Sequence, residues 1–439
     1  MQDEAPELIP RGAATAASQE PATAIPQEPA AVASPEAPSI GPVTSAERIQ
    51  IVDILRGFAI LGIFAVNMGA FSMPWMLGFV MPDYWTGWYD RIAEFLVIFL
   101  FQGKFYTLFS FLFGMGLAIQ MGRVESRGGR FVPLYVRRLL ALLLIGLAHA
   151  FLIWMGDILV TYALLGFVLL LFRGRSEHTL AAWIAVCLLL PVLIIALGVV
   201  AGAQGWKDFE VEKQTVEMNE GVEDSLRIYA GGTFGEIMEQ RALDTFVLLS
   251  FLPLAGGHIL AMFLSGLFAG RRRLFEEIPA HLPLLRRVRN WGLLLGLAGN
   301  LVVALTFRSI NPVVPTLAGL GMQICYLIGT TSLCLFYIST ITLLAQRETW
   351  RRRLGPLASV GRTALSNYLL QSILGTLIFY SYGLGLYGKV GPAAGLLLVF
   401  VIYAMQVPLS GWWLRRFRFG PAEWAWRSLT YAKPQPMRL

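Results

Sequence analysis

A histidine and an aspartate, His149 and Asp157, stand inside a strongly apolar stretch bounded by Arg137 and Arg138 before it and Arg173 and Arg175 after it. Burying a charged side chain in hydrocarbon costs about 2.5–3.5 kcal/mol or more, so two ionisable residues placed there mark a site. An imidazole held by a carboxylate is how a general base is built, because the carboxylate fixes which ring nitrogen keeps the proton. Asp157 also follows Met155 and Gly156, where it suits the N-cap of the next helix, and His149 would equally serve as a structural hydrogen-bond donor. Both accounts stand at this level.

Two other groups carry polar chemistry. Arg56 and Asn67 lie in one apolar segment, eleven residues and so roughly 16 Å apart along a helix, on nearly the same face. Arg56 suits an incoming anion or a salt bridge to Asp53, and Asn67 suits an oxyanion or an interhelical hydrogen bond. Later, GRTALSNYLLQS at 361–372 places Arg362, Asn367, Tyr368 and Gln371 on the early turns of a helix. Helix N-termini favour anions, so this group would receive phosphate or a pantetheine-like group; packing between helices is the other account. His258, directly after Gly256 and Gly257, reads as structural. The histidines are scattered and no CxxC spacing occurs, so no metal site is expected, and Cys187, Cys325 and Cys334 read as packing residues.

The elements that must position these residues are membrane helices. The 439 residues are 56% hydrophobic and only 14% charged, far below the roughly 25% charged of a soluble domain. The net charge of +7 does not point to nucleic acid, because the arginines gather at the ends of apolar segments. Hydropathy predicts an all-α, polytopic bundle of about ten transmembrane helices, near 51–71, 104–121, 139–154, 158–172, 180–202, 245–270, 291–307, 317–344, 364–382 and 393–414. Alternate loops are rich in arginine and the others poor, which places both termini in the cytoplasm. Residues 1–46 are rich in Ala, Pro and Glu, lack the apolar core of a signal peptide and read as a disordered cytoplasmic tail. Then come an N-terminal transmembrane half (47–202), an acidic extracytoplasmic loop (203–244) with one or two surface helices, and a C-terminal half with its tail (245–439). Gly114, Gly116, Gly292 and Gly296 read as helix-packing notches.

Five blocks carry a family resemblance: DILRGFAILG at 53–62 with Asn67, KFYTLFSFLFG at 104–114, His149 with WMGD at 154–157, GRTALSNYLLQS at 361–372, and GPAEWAWRSLTY at 420–431. In this order they resemble the YeiB-like bacterial membrane proteins, domain of unknown function 418, over nearly everything after the tail. More distantly the chain is similar to the acyltransferase 3 family and the heparan-α-glucosaminide N-acetyltransferases, which move acyl groups from cytoplasmic acyl-CoA to acceptors across the bilayer. That similarity implies a bacterial inner-membrane location, acyl-CoA as donor substrate with no permanently bound cofactor, and an envelope glycan or lipid as acceptor. Arg56 matches the first-span arginine of those enzymes. Where acyltransferase 3 proteins carry a catalytic histidine this chain has Asn67, and residues 68–91 hold no histidine, which leaves His149 to act as base. The alternative is a transporter or permease for a small or lipid-linked solute, using the same polar residues as its path.

Overall fold

A computed structural model describes residues 49–75, 77, 84–202, 208–310 and 315–439. The expected tail, 1–46, lies outside the described residues. Every regular element among them is a helix, and the one β-bridge joins Phe417 to Arg438. The helices are α1 (Gln50–Ser72), α2 (Trp88–Leu96), α3 (Lys104–Ser126), α4 (Phe131–Leu152), α5 (Leu159–Leu171), α6 (Glu177–Gly202), α7 (Asp208–Gly231), α8 (Phe234–Ser250), α9 (Leu252–Arg271), α10 (Ile278–Thr306), α11 (Leu317–Ala345), α12 (Glu348–Arg362), α13 (Ala364–Phe379), α14 (Pro392–Leu414) and α15 (Pro421–Tyr431). Seven helices are long and apolar enough to cross a bilayer, and eight spans result if the bent pair α8–α9 counts as one. The other two expected spans are the shorter apolar helices α5 and α13. Within the acidic segment two helices form, α7 and the start of α8. The second opens on a capping box: Thr233 accepts from the Glu236 amide while the Glu236 carboxylate accepts from the Thr233 amide.

Small residues let the central helices touch backbone to backbone, which matters in lipid because association there rests on close packing. A Cβ on Gly57 of α1 would overlap the Leu357 carbonyl oxygen of α12, and one on Gly361 would overlap that of Asp53. Gly114 of α3 meets the Phe263 carbonyl of α9, Gly266 meets that of Phe111, and Gly292 and Gly296 of α10 meet Ser332 and Leu333 of α11. Gly116 departs from the expectation: no atom lies within 4 Å of where its Cβ would be. By contrast α6 buries only Leu180, Cys187 and Pro191, so its apolar surface faces lipid.

Two interruptions shape the interior. In the α4–α5 hairpin α4 is long enough to cross, but α5, from Leu159 to Leu171 and followed by Arg173 and Arg175, is only about 20 Å long, while the hydrocarbon core is about 30 Å thick. The intervening turn therefore lies at membrane depth, where non-helical backbone survives only if protein covers it. Helix α8 supplies that cover: Arg241 Nη1 donates to the Leu152 carbonyl at 2.7 Å, and Thr245 Oγ1 donates to the Ala150 carbonyl at 3.4 Å. The second break lies between α2 and α3, where a π turn at Val97–Phe101 ends at Gly103 with φ of +85°, a conformation suited to glycine. Its freed carbonyls are met by side chains, Lys104 Nζ donating to Ile98 at 2.7 Å and Tyr337 Oη to Leu100 at 3.0 Å.

Candidate functional site

The contact between Gly57 and Gly361 sets two arginines next to each other in space, because Arg56 and Arg362 are their immediate neighbours in sequence. Both line a cavity of about 280 Å³ at the arginine-rich end of the bundle. Arg123, Arg127, Arg138 and Arg427 also line it, against the carboxylates Asp53 and Glu423. Among the described residues six guanidinium groups and two carboxylates line it, an excess of cationic groups that favours anions. Arg56 Nη1 donates to Asp53 Oδ1 at 2.9 Å, so the salt bridge and the cavity position occur together. Arg138 Nη1 donates to Gln120 Oε1 at 3.2 Å, and its guanidinium lies 4.2 Å from the Trp426 ring centroid. Arg362 keeps a buried Nε with no partner among the described residues. Gly116 also lines the space, which is why it makes no helix contact.

Helix α15 closes one wall with Glu423, Trp426, Arg427, Thr430 and Tyr431. Glu423 Oε1 accepts from the amides of Leu365 at 2.7 Å and Ser366 at 3.2 Å, and Oε2 accepts from the Ser366 hydroxyl at 2.5 Å. This corrects one expectation: the first turn of α13, read as a seat for phosphate, already holds an anionic group from the chain itself. Burial pushes the Glu423 carboxyl above its usual range, although these donors pull the other way.

Tyr368, on α13, joins the cavity to the hairpin. Its side chain lines the cavity, its hydroxyl donates to the Gly156 carbonyl at 3.2 Å, and its ring centroid is 5.1 Å from that of His149. His149 occupies the last turn of α4 and is 1% exposed. Asp157 lies one residue before the N-cap Ile158 and touches both helices: Oδ1 accepts from the Val160 amide at 2.7 Å, and Oδ2 lies 2.7 Å from His149 Nδ1. A carboxylate only accepts, so Nδ1 carries a proton, and in the neutral imidazole Nε2 presents a lone pair. That Nε2 is buried with no partner among the described residues.

The remaining expected residues lie elsewhere. Asn367 Nδ2 donates to the Thr363 carbonyl at 3.0 Å and to Ser410 Oγ at 3.0 Å; Gln371 Nε2 donates to Gln406 Oε1 at 2.8 Å. Both are buried between α13 and α14 and do not line the cavity, since their helix face meets polar groups on the neighbouring helix. Asn67 is half-buried on α1, three turns beyond Arg56 and outside the cavity lining. His149 does not line it either and is reached only across Tyr368. His258 sits between Tyr106 Oη at 3.4 Å and Thr331 Oγ1 at 3.3 Å, inside the packing of α3, α9 and α11. Sequence reasoning passed over Arg123, Arg127 and Arg138 as loop arginines, and Glu423 and Trp426 as part of a family block without a role.

The profile of the family described as "Protein of unknown function (DUF418)" matches residues 269–433, which include Arg362, Tyr368 and α15. The uncharacterized protein YxaH of Bacillus subtilis (strain 168) is 42% identical over 419 residues, covering 91% of this chain and 98% of its own. An uncharacterized 39.9 kDa protein in the amylase 3' region of Bacillus acidopullulyticus is 28% identical over 91% of this chain and 98% of its own. The uncharacterized protein YeiB of Escherichia coli (strain K12) is 28% identical over 89% of this chain and 98% of its own. With near-complete coverage at this identity, the chain belongs to the DUF418 family of multi-pass membrane proteins.

Proposed function

We propose that this protein is a membrane acyltransferase that takes its donor at the arginine-lined cavity and uses His149 as general base. The observation that carries the reading is His149 itself, with Nδ1 held by Asp157, Nε2 unpartnered, and one tyrosine ring between it and six arginines. The cavity suits the phosphate-bearing part of a donor such as acyl-CoA, with the remainder at its mouth, because about 280 Å³ is at the low end of ligand pockets. Arg56 and Arg362 would bind phosphate oxygens. His149 Nε2 would take the proton of an acceptor hydroxyl or amine as its oxygen or nitrogen bonds to the acyl carbon. The carbon–sulfur bond then breaks, and the thiolate leaves with the electron pair and is protonated. Tyr368 would have to swing aside for the two sites to meet. The arginine-rich end would face the cytoplasm of a bacterial inner membrane and the acidic helices the outside, where an envelope glycan or lipid would be the acceptor. Asn367, Gln371 and Asn67 take no part in this scheme.

Radiolabelled acyl-CoA and purified protein in nanodiscs provide the test. Donor affinity should fall about 10-fold or more in Arg362→Gln, as expected for loss of a charge-assisted hydrogen bond. His149→Ala should keep donor binding and lose transfer. Absence of donor binding, or transfer unchanged in His149→Ala, overturns the reading.

A second reading, a transporter for a small or lipid-linked solute, is favoured by the broken helix at Val97–Gly103 with its buried Lys104, since discontinuous helices mark binding sites in transporters. Counterflow of unmodified solute in proteoliposomes would select it.

A further inference from the structure

At the end of the bundle away from the arginine cavity, Arg241 of α8 is 0% exposed, and no carboxylate among the described residues lies within ion-pair distance of it. Its Nη1 donates to the Leu152 carbonyl at 2.7 Å and its Nη2 to Tyr382 Oη at 3.4 Å, while Nε has no partner. A buried guanidinium left with neutral partners is costly, which argues for an anion that completes it. Two more buried polar atoms in the same packed cluster as Tyr380 lack partners: Tyr387 Oη and Trp154 Nε1. The Tyr380 ring links them, lying 5.8 Å from the Arg241 guanidinium and 5.7 Å from Tyr387, with its hydroxyl on Met155 Sδ at 3.8 Å. Indole and guanidinium nitrogens only donate, so the missing partner is an acceptor of hydrogen bonds.

Into this cluster the chain inserts Tyr229 from the end of α7. The side chain is 0% exposed, its ring centroid lies 4.5 Å from that of Tyr380 and 5.2 Å from that of Tyr387, and its hydroxyl donates to Asp244 Oδ2 at 2.6 Å. Tyr229 thus presents a flat six-membered ring and a hydroxyl to two stacking tyrosines and a carboxylate. It supplies nothing to Arg241.

We propose that the space filled by Tyr229 is a subsite for a hydroxylated, ring-shaped organic anion, whose hydroxyl donates to Asp244 and whose carboxylate or phosphate pairs with Arg241, and that Tyr229 is a plug withdrawn with α7. This deepens the acyl-transfer reading by giving the chemical class of the acceptor, and it rests on that reading only for the role of acceptor. Arg241 holds the Leu152 carbonyl at the end of the helix that carries His149, so the same residue ties the subsite to the base.

The test is equilibrium binding to the full chain in nanodiscs without any acyl donor, with three probes of matched shape: D-glucuronate, glucose 6-phosphate and glucose. Tyr229→Ala should bind one of the two anions at least 10-fold more tightly than the wild type, glucuronate marking a carboxylate ligand and glucose 6-phosphate a phosphate. Tyr229→Phe, which keeps the ring and loses the bond to Asp244, should fall between them. Arg241→Gln combined with Tyr229→Ala should lose the gain. Neutral glucose should not compete. The proposal is overturned if no anion binds to Tyr229→Ala or Tyr229→Phe, or if binding survives loss of Arg241 unchanged. Coenzyme A affinity, measured separately on the same samples, reports on the donor cavity, so failure here and failure there are told apart.

Discussion

The paired roles of Asp157 show how much one side chain can settle. Its two oxygens satisfy the Val160 amide in the first turn of α5 and the histidine in the last turn of α4, so the turn and the orientation of the imidazole are fixed by the same group. That pairing was legible, because His149 and Asp157 are near neighbours in the chain and flank one turn. The proximity of Arg56 and Arg362 was not, since it depends on two glycines far apart in sequence meeting carbonyls of each other's helices. Helical spacing likewise showed that polar residues of α13 share a face but not what that face meets, and Gln406 and Ser410 of α14 decide it for Gln371 and Asn367. Gly116 offers a test at this scale. A side chain there projects into empty space, so Gly116→Ala should raise helix stability by about 0.5–1 kcal/mol, read from thermal unfolding. Gly116→Phe should fold as well as wild type and lose donor binding by occupying the cavity.

Among the elements, α15 is the least expected contributor, a short amphipathic helix after the last membrane segment that supplies a wall of the cavity and the cap of α13. Each apolar segment read from hydropathy coincides with a helix, yet α5 and α13 are too short to cross alone; for α13 hydropathy did not say so because the residues just beyond it, 380–387, are still largely apolar. Glu423→Ala would leave the Leu365 and Ser366 amides without their acceptor in a buried setting. A loss of about 1–3 kcal/mol in unfolding free energy is expected, with most of it recovered by Glu423→Gln, whose amide oxygen still accepts.

For the whole molecule, the alternation of arginine-rich and arginine-poor loops gives an orientation that labelling can check. A cysteine in place of Asp224, exposed on α7, should react with an impermeant maleimide in intact cells; one in place of exposed Arg353 should react only after lysis. The three native cysteines, two of them buried, set a low background. If the two positions label in the reverse order, the proposed sidedness of donor and acceptor is wrong. The shallow hairpin carries a further implication for energetics. With a polar chamber opening from one side, the insulating layer inside the protein is the tilted rings of Tyr368 and His149 together with the buried cluster of Trp154, Tyr229, Tyr380 and Tyr387 that covers the turn. An electrical potential across the membrane, worth about 2.3 kcal/mol per elementary charge per 100 mV, would then drop mainly over that layer. In the proposed mechanism, proton movement at the imidazole would accordingly feel the energised state of the membrane.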